Sequence, residues 1–224
     1  MTGSSFPTLL EALGDDEFPG VDLALRRGRH IGREDGPAYE FLVEALDHLE
    51  PFYRRFGCEL VQRSDGFFFL LPSGDALGQR HLSAGEMLVG QTLALLYLDP
   101  ATLAQGGRIA RRLLLERLSG LIGAESLFRT LNPRRRKFDE RVAAETVRTQ
   151  VSEALRGLSA LGFVDLEGDD LLRLRPALLR FADPVRGLSD PVRGLEQLVA
   201  RGEAVLAEAQ KDEDSAAEDE EAAR

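Results

Sequence analysis

The apolar residues of this chain form helical stripes followed by short strand-like runs, and this order occurs twice along its length. From Val21 to Ile31 the pattern reads as a short helix followed by a turn. Asp35, Gly36 and Pro37 then have the character of a cap and a first turn, since proline at the first helical position lacks only a donor that would go unpaired there. Beyond them Leu42, Ala45, Leu46, Leu49, Phe52, Tyr53 and Phe56 recur at helical spacing and form one stripe, with Pro51 bending the helix and Gly57 ending it. The helical spacing stops there. Cys58 to Arg63 and Phe67 to Leu71 read as strands, and the Asp65-Gly66 pair between them supplies the positive φ angles of a tight turn. A hairpin this close behind a helix has the shape of a wing. Pro72, Ser73 and Gly74 mark a break, which places a domain boundary between about residues 72 and 82.

The second half repeats this order. Ser83 and Glu86 have the spacing of a capping box, and they open the helix Met87 to Leu98, which is apolar on every side and so is expected to be buried nearly all round. Pro100 and the Gly106-Gly107 pair separate it from a helix near Arg108 to Ile122, and a short helical stretch from Glu125 to Leu131 ends at Asn132-Pro133. From Phe138 the longest periodicity begins, with Val147, Val151, Ala154, Leu155, Leu158 and Leu161 on one face and Gly162 as the stop. Phe163 to Leu166 and Leu171 to Arg175 pair around Gly168-Asp169, Leu172 and Leu174 facing inward while Arg173 and Arg175 face water. Helices, glycine and hairpin thus occur twice, which is the organisation of tandem winged helices. A last helical region spans roughly Leu195 to Ala209, behind the sequence Asp-Pro-Val-Arg-Gly-Leu at Asp183 to Leu188 and again at Asp190 to Leu195. The repeat reads as a local duplication forming linker turns.

The predicted fold class is α+β, mainly helical. Tandem winged-helix domains occupy residues 1–76 and 77–182, each with a β-hairpin wing, followed by a linker and C-terminal helix at 183–210 and a disordered acidic tail at 211–224. A length of 224 residues suits two small domains, and 43% hydrophobic residues suffice to fill both cores. The net charge of −10 is uneven, because Lys211 to Arg224 hold seven carboxylates against two basic groups. Without an apolar residue larger than alanine that stretch has no surface to bury, hence the expected disorder. Cys58 is the only cysteine, so no intrachain disulfide and no thiolate zinc cluster can form, and it is expected to be a buried strand residue. No apolar run approaches the roughly 20 residues that cross a bilayer, and Met1 to Leu13 lack the features of a secretory signal. A cytoplasmic protein with no membrane association is the expectation. Of 28 basic residues 26 are arginine, a side chain suited to bidentate binding of phosphate or carboxylate, although genome base composition gives the same bias.

Several stretches carry a family resemblance. Phe18-Pro19-Gly20-Val21-Asp22 with Ala24 through Gly32, then Phe52 through Leu60, resemble the MukE family of chromosome partition proteins. Gly66 through Leu70, Met87 through Gly90, Leu96-Tyr97-Leu98, and Val147-Arg148 with Leu155 through Gly162 are similar to further MukE stretches in the same order. The likeness covers nearly the whole chain, including the acidic tail. It departs at Pro133 to Phe138, where three arginines and a lysine stand in a place that is more polar and mixed in the family. The resemblance implies a non-catalytic, homodimeric, kleisin-binding tandem winged-helix subunit that binds the kleisin MukF and, through it, the SMC ATPase MukB. It also implies association with the nucleoid and a part in holding and compacting DNA.

The residues fit that implication in what they lack and in what they concentrate. Neither Lys137, after Arg136, nor Lys211, after Gln210, stands in a phosphate-binding P-loop, which needs glycine, lysine and then serine or threonine. His30, His48 and His81 fall at no metal-ligand spacing and read as surface or packed histidines. No nucleophile elbow or dinucleotide fingerprint is present, so neither cofactor nor metal is expected. Arg134, Arg135, Arg136 and Lys137 precede the long second-domain helix, on whose polar face Arg141, Arg148 and Arg156 recur beside Ser152. These basic residues are the candidates for weak DNA contact without sequence preference, set against the ordinary reading of a solvated helix face. A second cluster, Arg26, Arg27, Arg29, His30 and Arg33, suits DNA or an acidic stretch of a partner protein, while Gly28 and Ile31 within it suit a structural turn and a core anchor; structure is the first reading and partner contact the second. A winged-helix transcription regulator is the rival reading, distinguished by thousands-fold discrimination among DNA sequences.

Overall fold

The computed structural model describes residues 5–73, 81–123 and 140–185, together with Leu127 and Leu131. Two units of like order succeed one another. The first runs α1 (Leu9–Leu13), α2 (Phe18–Arg26), β1 (Ile31–Gly32), α3 (Pro37–Arg54), β2 (Cys58–Arg63) and β3 (Phe67–Pro72). The second runs α4 (Ala84–Tyr97), α5 (Pro100–Ala104), β4 (Arg108–Ala110), α6 (Arg111–Ile122), α7 (Glu140–Ala160), β5 (Val164–Glu167) and β6 (Leu171–Leu174), and the 3₁₀ segment Pro176–Val185 comes last. The architecture is a mixture of helices with small sheets. Each unit holds one antiparallel three-stranded sheet with its last strand in the middle, in the orders β1-β3-β2 and β4-β6-β5.

The short strands β1 and β4 escape the sequence pattern because two or three residues cannot display a period of two. Ile31 and Gly32 pair with Phe68 and Phe67, and the helix expected from Arg108 starts instead at Arg111, after β4 has paired with β6. The helix expected from Val21 begins at Phe18, with Pro19 in its first turn. In the first hairpin Arg63 pairs with Phe67, leaving a three-residue loop in which Gly66 alone takes a positive φ, of 90°, and Asp65 does not. That is the turn a three-residue loop selects. On α3, Leu42, Ala45, Leu49 and Tyr53 are fully buried, but Phe56 is exposed because the helix has ended at Arg54.

Helix α4 starts on the expected capping box: Ser83 Oγ accepts from the Glu86 N–H at 3.2 Å while the Glu86 carboxylate accepts from the Ser83 N–H at 2.9 Å. Leu88, Val89, Leu93, Ala94, Leu95 and Leu96 are all buried, so this helix is the axle of the second unit. A Cβ on its Gly90 would come 2.3 Å from the Phe181 ring, which shows how closely the 3₁₀ segment packs against the helix.

Two apolar cores result, and β3 serves both. Successive strand residues point to opposite faces, so Phe68 enters the first core with Leu42, Tyr53 and Cys58, while Phe67 and Phe69 enter the second with Leu93, Leu155 and Phe163. A run of three buried phenylalanines is therefore a strand covered on both sides. The expected domain boundary falls largely on residues 74–80, outside those described, as do the stretch Glu125 to Leu131 apart from two residues, the C-terminal helix and the acidic tail.

Candidate docking groove and basic surfaces

The turn after α2 and the turn after α7 meet between the two units. Gly162, at φ 77°, brings its backbone so near the first unit that a Cβ would lie 2.3 Å from the His30 carbonyl oxygen, and only glycine fits. The His30 backbone N–H donates to the Leu161 carbonyl at 2.8 Å, and its ring Nδ1 lies 2.9 Å from the same oxygen. A carbonyl only accepts, so the proton sits on Nδ1, and Nε2 accepts from Arg180 Nη1 at 2.7 Å. Phe163, Phe69 and Phe67 surround the imidazole with centroids 4.4, 5.4 and 5.9 Å away. Burial first, and then the Arg180 charge, push the His30 pKa from 6.5 down to about 3, with the Leu161 bond acting in the other direction. The ring is neutral and packed. Arg180 is itself held below the usual guanidinium value by burial, an effect that Asp183 opposes and Arg63 reinforces, and its head lies 3.9 Å over the Phe69 ring.

Charged pairs cross the same junction. Arg175 Nη1 donates to Asp35 at 2.8 Å, and Arg175 also binds Asp165 through Nε at 2.9 Å and Nη2 at 2.7 Å. Arg63 Nη2 binds Asp183 at 3.0 Å. Arg175, expected to face water, is only 7% exposed. Strand alternation predicts the outward direction, but β6 stops at Leu174 and the chain turns into the 3₁₀ segment, which carries Arg175 inward. For Asp35, burial works against the charge, but the Gly32 N–H, Arg175 and Arg29 outweigh it and hold the carboxyl below its usual range.

Beside this junction opens a groove of about 690 Å³. The end of α2 and its turn, the end of β3, the start of α4, the residues around Phe163 and the 3₁₀ segment contribute its walls. Leu71 and Met87 stand there 43% and 39% exposed, and Arg26, Arg27 and Arg180 supply positive charge. Among the described residues lining it there is no carboxylate, imidazole, thiol or hydroxyl to serve as base or nucleophile. An apolar floor with arginines is suited to holding a segment that carries apolar and acidic side chains.

The structure scatters the first arginine cluster. Arg26 pairs with Asp22 at 2.8 Å and lies 4.8 Å over the Phe56 ring, and Arg29 binds Asp35. Arg33 is exposed, with its Nε against Gly66, so that Arg26 and Arg27 are the members of this cluster on the groove. In α7, Val147, Val151, Ala154, Leu155 and Leu158 are buried and Arg148 and Arg156 exposed, about 12 Å apart along the axis at 1.5 Å per residue. Arg134, Arg135, Arg136 and Lys137 lie outside the described residues, as does the side chain of Arg141. Sequence reasoning missed Arg111, whose Nη1 donates to Ser152 Oγ at 3.4 Å and whose buried Nε has no partner among the described residues. It also missed Asp35, Arg63, Arg175, Arg180 and Asp183 at the junction; no local pattern separates them from the other charges of the chain. Among the described residues no group of three His, Cys, Asp or Glu could hold a metal ion, and no helix is long and apolar enough to cross a membrane.

With this geometry in place, comparison with known proteins gives a consistent picture. Residues 16–186 match the family model of the condensin complex protein MksE. The chromosome partition protein MukE of Shigella flexneri is 35% identical over 181 residues, 80% of each chain. MukE of Yersinia pestis is 36% identical over 183 residues, 80% of this chain and 77% of that one, and MukE of Mannheimia succiniciproducens is 36% identical over 181 residues, 80% and 75%.

Proposed function

Because the chain belongs to the family of the condensin complex protein MksE and the chromosome partition protein MukE, we propose that it acts in its condensin complex as a non-enzymatic, kleisin-binding tandem winged-helix subunit. Its role is in chromosome partition. In this reading residues 1–76 and 77–182 are the two winged-helix domains, and the partner is a kleisin of the MukF kind, which ties the subunit to an SMC ATPase of the MukB kind. The subunit works as a homodimer on the nucleoid in the cytoplasm, and its contact with DNA is weak and independent of sequence. The observation that carries the reading is the repeated unit: two sheets with the third strand central, each behind a set of helices, joined by a β3 that both cores share. Such a scaffold offers faces rather than a reaction centre, and its apolar contacts supply most of the binding free energy.

The test is co-elution. Mixed at micromolar concentration with the kleisin from its own genome, the protein is expected to leave a size-exclusion column as one complex. Independent migration of the two would sink the proposal. For DNA, titration on several unrelated duplexes is expected to give similar affinities that fall steeply with salt, and Arg148→Ala with Arg156→Ala to reduce the log–log salt slope by about 2, at roughly 0.9 per phosphate contact. A single duplex preferred by thousands-fold would point to a transcription regulator instead.

A further inference from the structure

We infer that the C-terminal segment of the same chain, from Leu195 to Ala209, docks in cis into the groove between the two units. The groove has an apolar floor, with Leu71 and Met87 each more than a third exposed, and it carries the positive charge of Arg27 and Arg180 beside Arg26, which is paired with Asp22. The described chain ends at the groove itself, because Pro184 is one of its walls and Val185 is the last residue of the 3₁₀ segment. The residues beyond Val185 have the complementary chemistry. Leu195, Leu198, Val199, Val205 and Leu206 recur at helical spacing and make one apolar stripe. From Leu195 to Arg224 there are ten carboxylates against three basic groups, opposite in sign to the groove. Nine residues, 186–194, lie between the wall and the stripe, enough chain to span up to about 30 Å at 3.3 Å per residue. A tether that short holds the segment at an effective concentration on the order of millimolar, so that even weak docking is populated. A partner that takes this groove does so in competition with the chain's own end.

Cross-linking in the full-length protein tests this directly. With Met87→Cys and Leu198→Cys in a Cys58→Ala background, a short bismaleimide is expected to join the two thiols within one chain, in a yield unchanged by hundredfold dilution. Absence of the cross-link, or one formed only between chains and lost on dilution, overturns the inference; the second result would make the occupant another copy. A full-length chain carrying Leu198→Glu and Val199→Glu gives an independent measure. Amide exchange across Leu82 to Gln91 is expected to speed up at least fivefold over the unchanged protein, and equal rates would contradict docking.

Discussion

Acidification is expected to loosen this protein well above the pH at which carboxylates protonate, and His30 is the reason. In the folded chain its ring is neutral, 3% exposed, donating to Leu161 and accepting from Arg180, with a pKa of about 3 against 6.5 when unfolded. The unfolded chain therefore binds more protons between these two values, and stability falls as pH drops through that window. The stabilisation is fully present above pH 6.5 and starts to be lost there, far above the folded pKa. From pH 7 to pH 5 the unfolded-state imidazole goes from mostly neutral to almost fully charged. At about 1.4 kcal/mol per pH unit the predicted loss is about 2 kcal/mol. Urea denaturation monitored by far-ultraviolet circular dichroism measures it as a lower midpoint at pH 5. Substitution His30→Gln keeps one donor for Leu161 and one acceptor for Arg180 but does not titrate, so this variant is expected to lose most of the pH dependence between 7 and 5. An equal acid slope in His30→Gln, or a flat curve for the unchanged chain, would refute the reasoning. The Asp35 carboxyl, held below its normal value by Gly32, Arg175 and Arg29 against its burial, contributes in a separate and lower window. Its stabilisation is present above the ordinary carboxylate range and disappears as pH falls through its depressed pKa.

Two other outcomes are expected at the same junction. Arg175→Met removes the cation that Asp35 and Asp165 share and is expected to cost about 3 kcal/mol in urea unfolding, the range for breaking a buried pair; a loss under 1 kcal/mol would mean that Arg29 and Gly32 suffice for Asp35. Gly162→Ala combines a φ of 77° with a Cβ 2.3 Å from the His30 carbonyl, whereas Gly168→Ala has a φ of 80° and open space around it. Thermal melts should show Gly168→Ala down by about 1 kcal/mol and Gly162→Ala by clearly more, and equal losses would show that the approach of the two units tolerates a methyl group.

Much of what neighbours along the chain govern was legible in the sequence, although the short helices α1 and α5 and the start of α2 at Phe18 were not. Helical spacing identifies α3 and α7, the capping box and the apolar run behind it identify α4, and strand-like runs around turn glycines give both hairpins, because each of these signals is carried by near neighbours along the chain. The buried position of Cys58 could be read in the same way, whereas His30 read equally as a surface or a packed histidine and only the meeting of the two units buries it. Features that depended on distant residues could not. The strands β1 and β4 are too short to carry a period and exist through pairing with β3 and β6. The three phenylalanines of β3 declare burial but not that two different cores receive them. Arg175 obeys strand alternation in the sequence and defies it in space, because two carboxylates from elsewhere, Asp35 and Asp165, are there to compensate its burial. The groove has no local signature at all, since its walls come from α2, β3, α4, the turn after α7 and the 3₁₀ segment, which meet only when the two units pack.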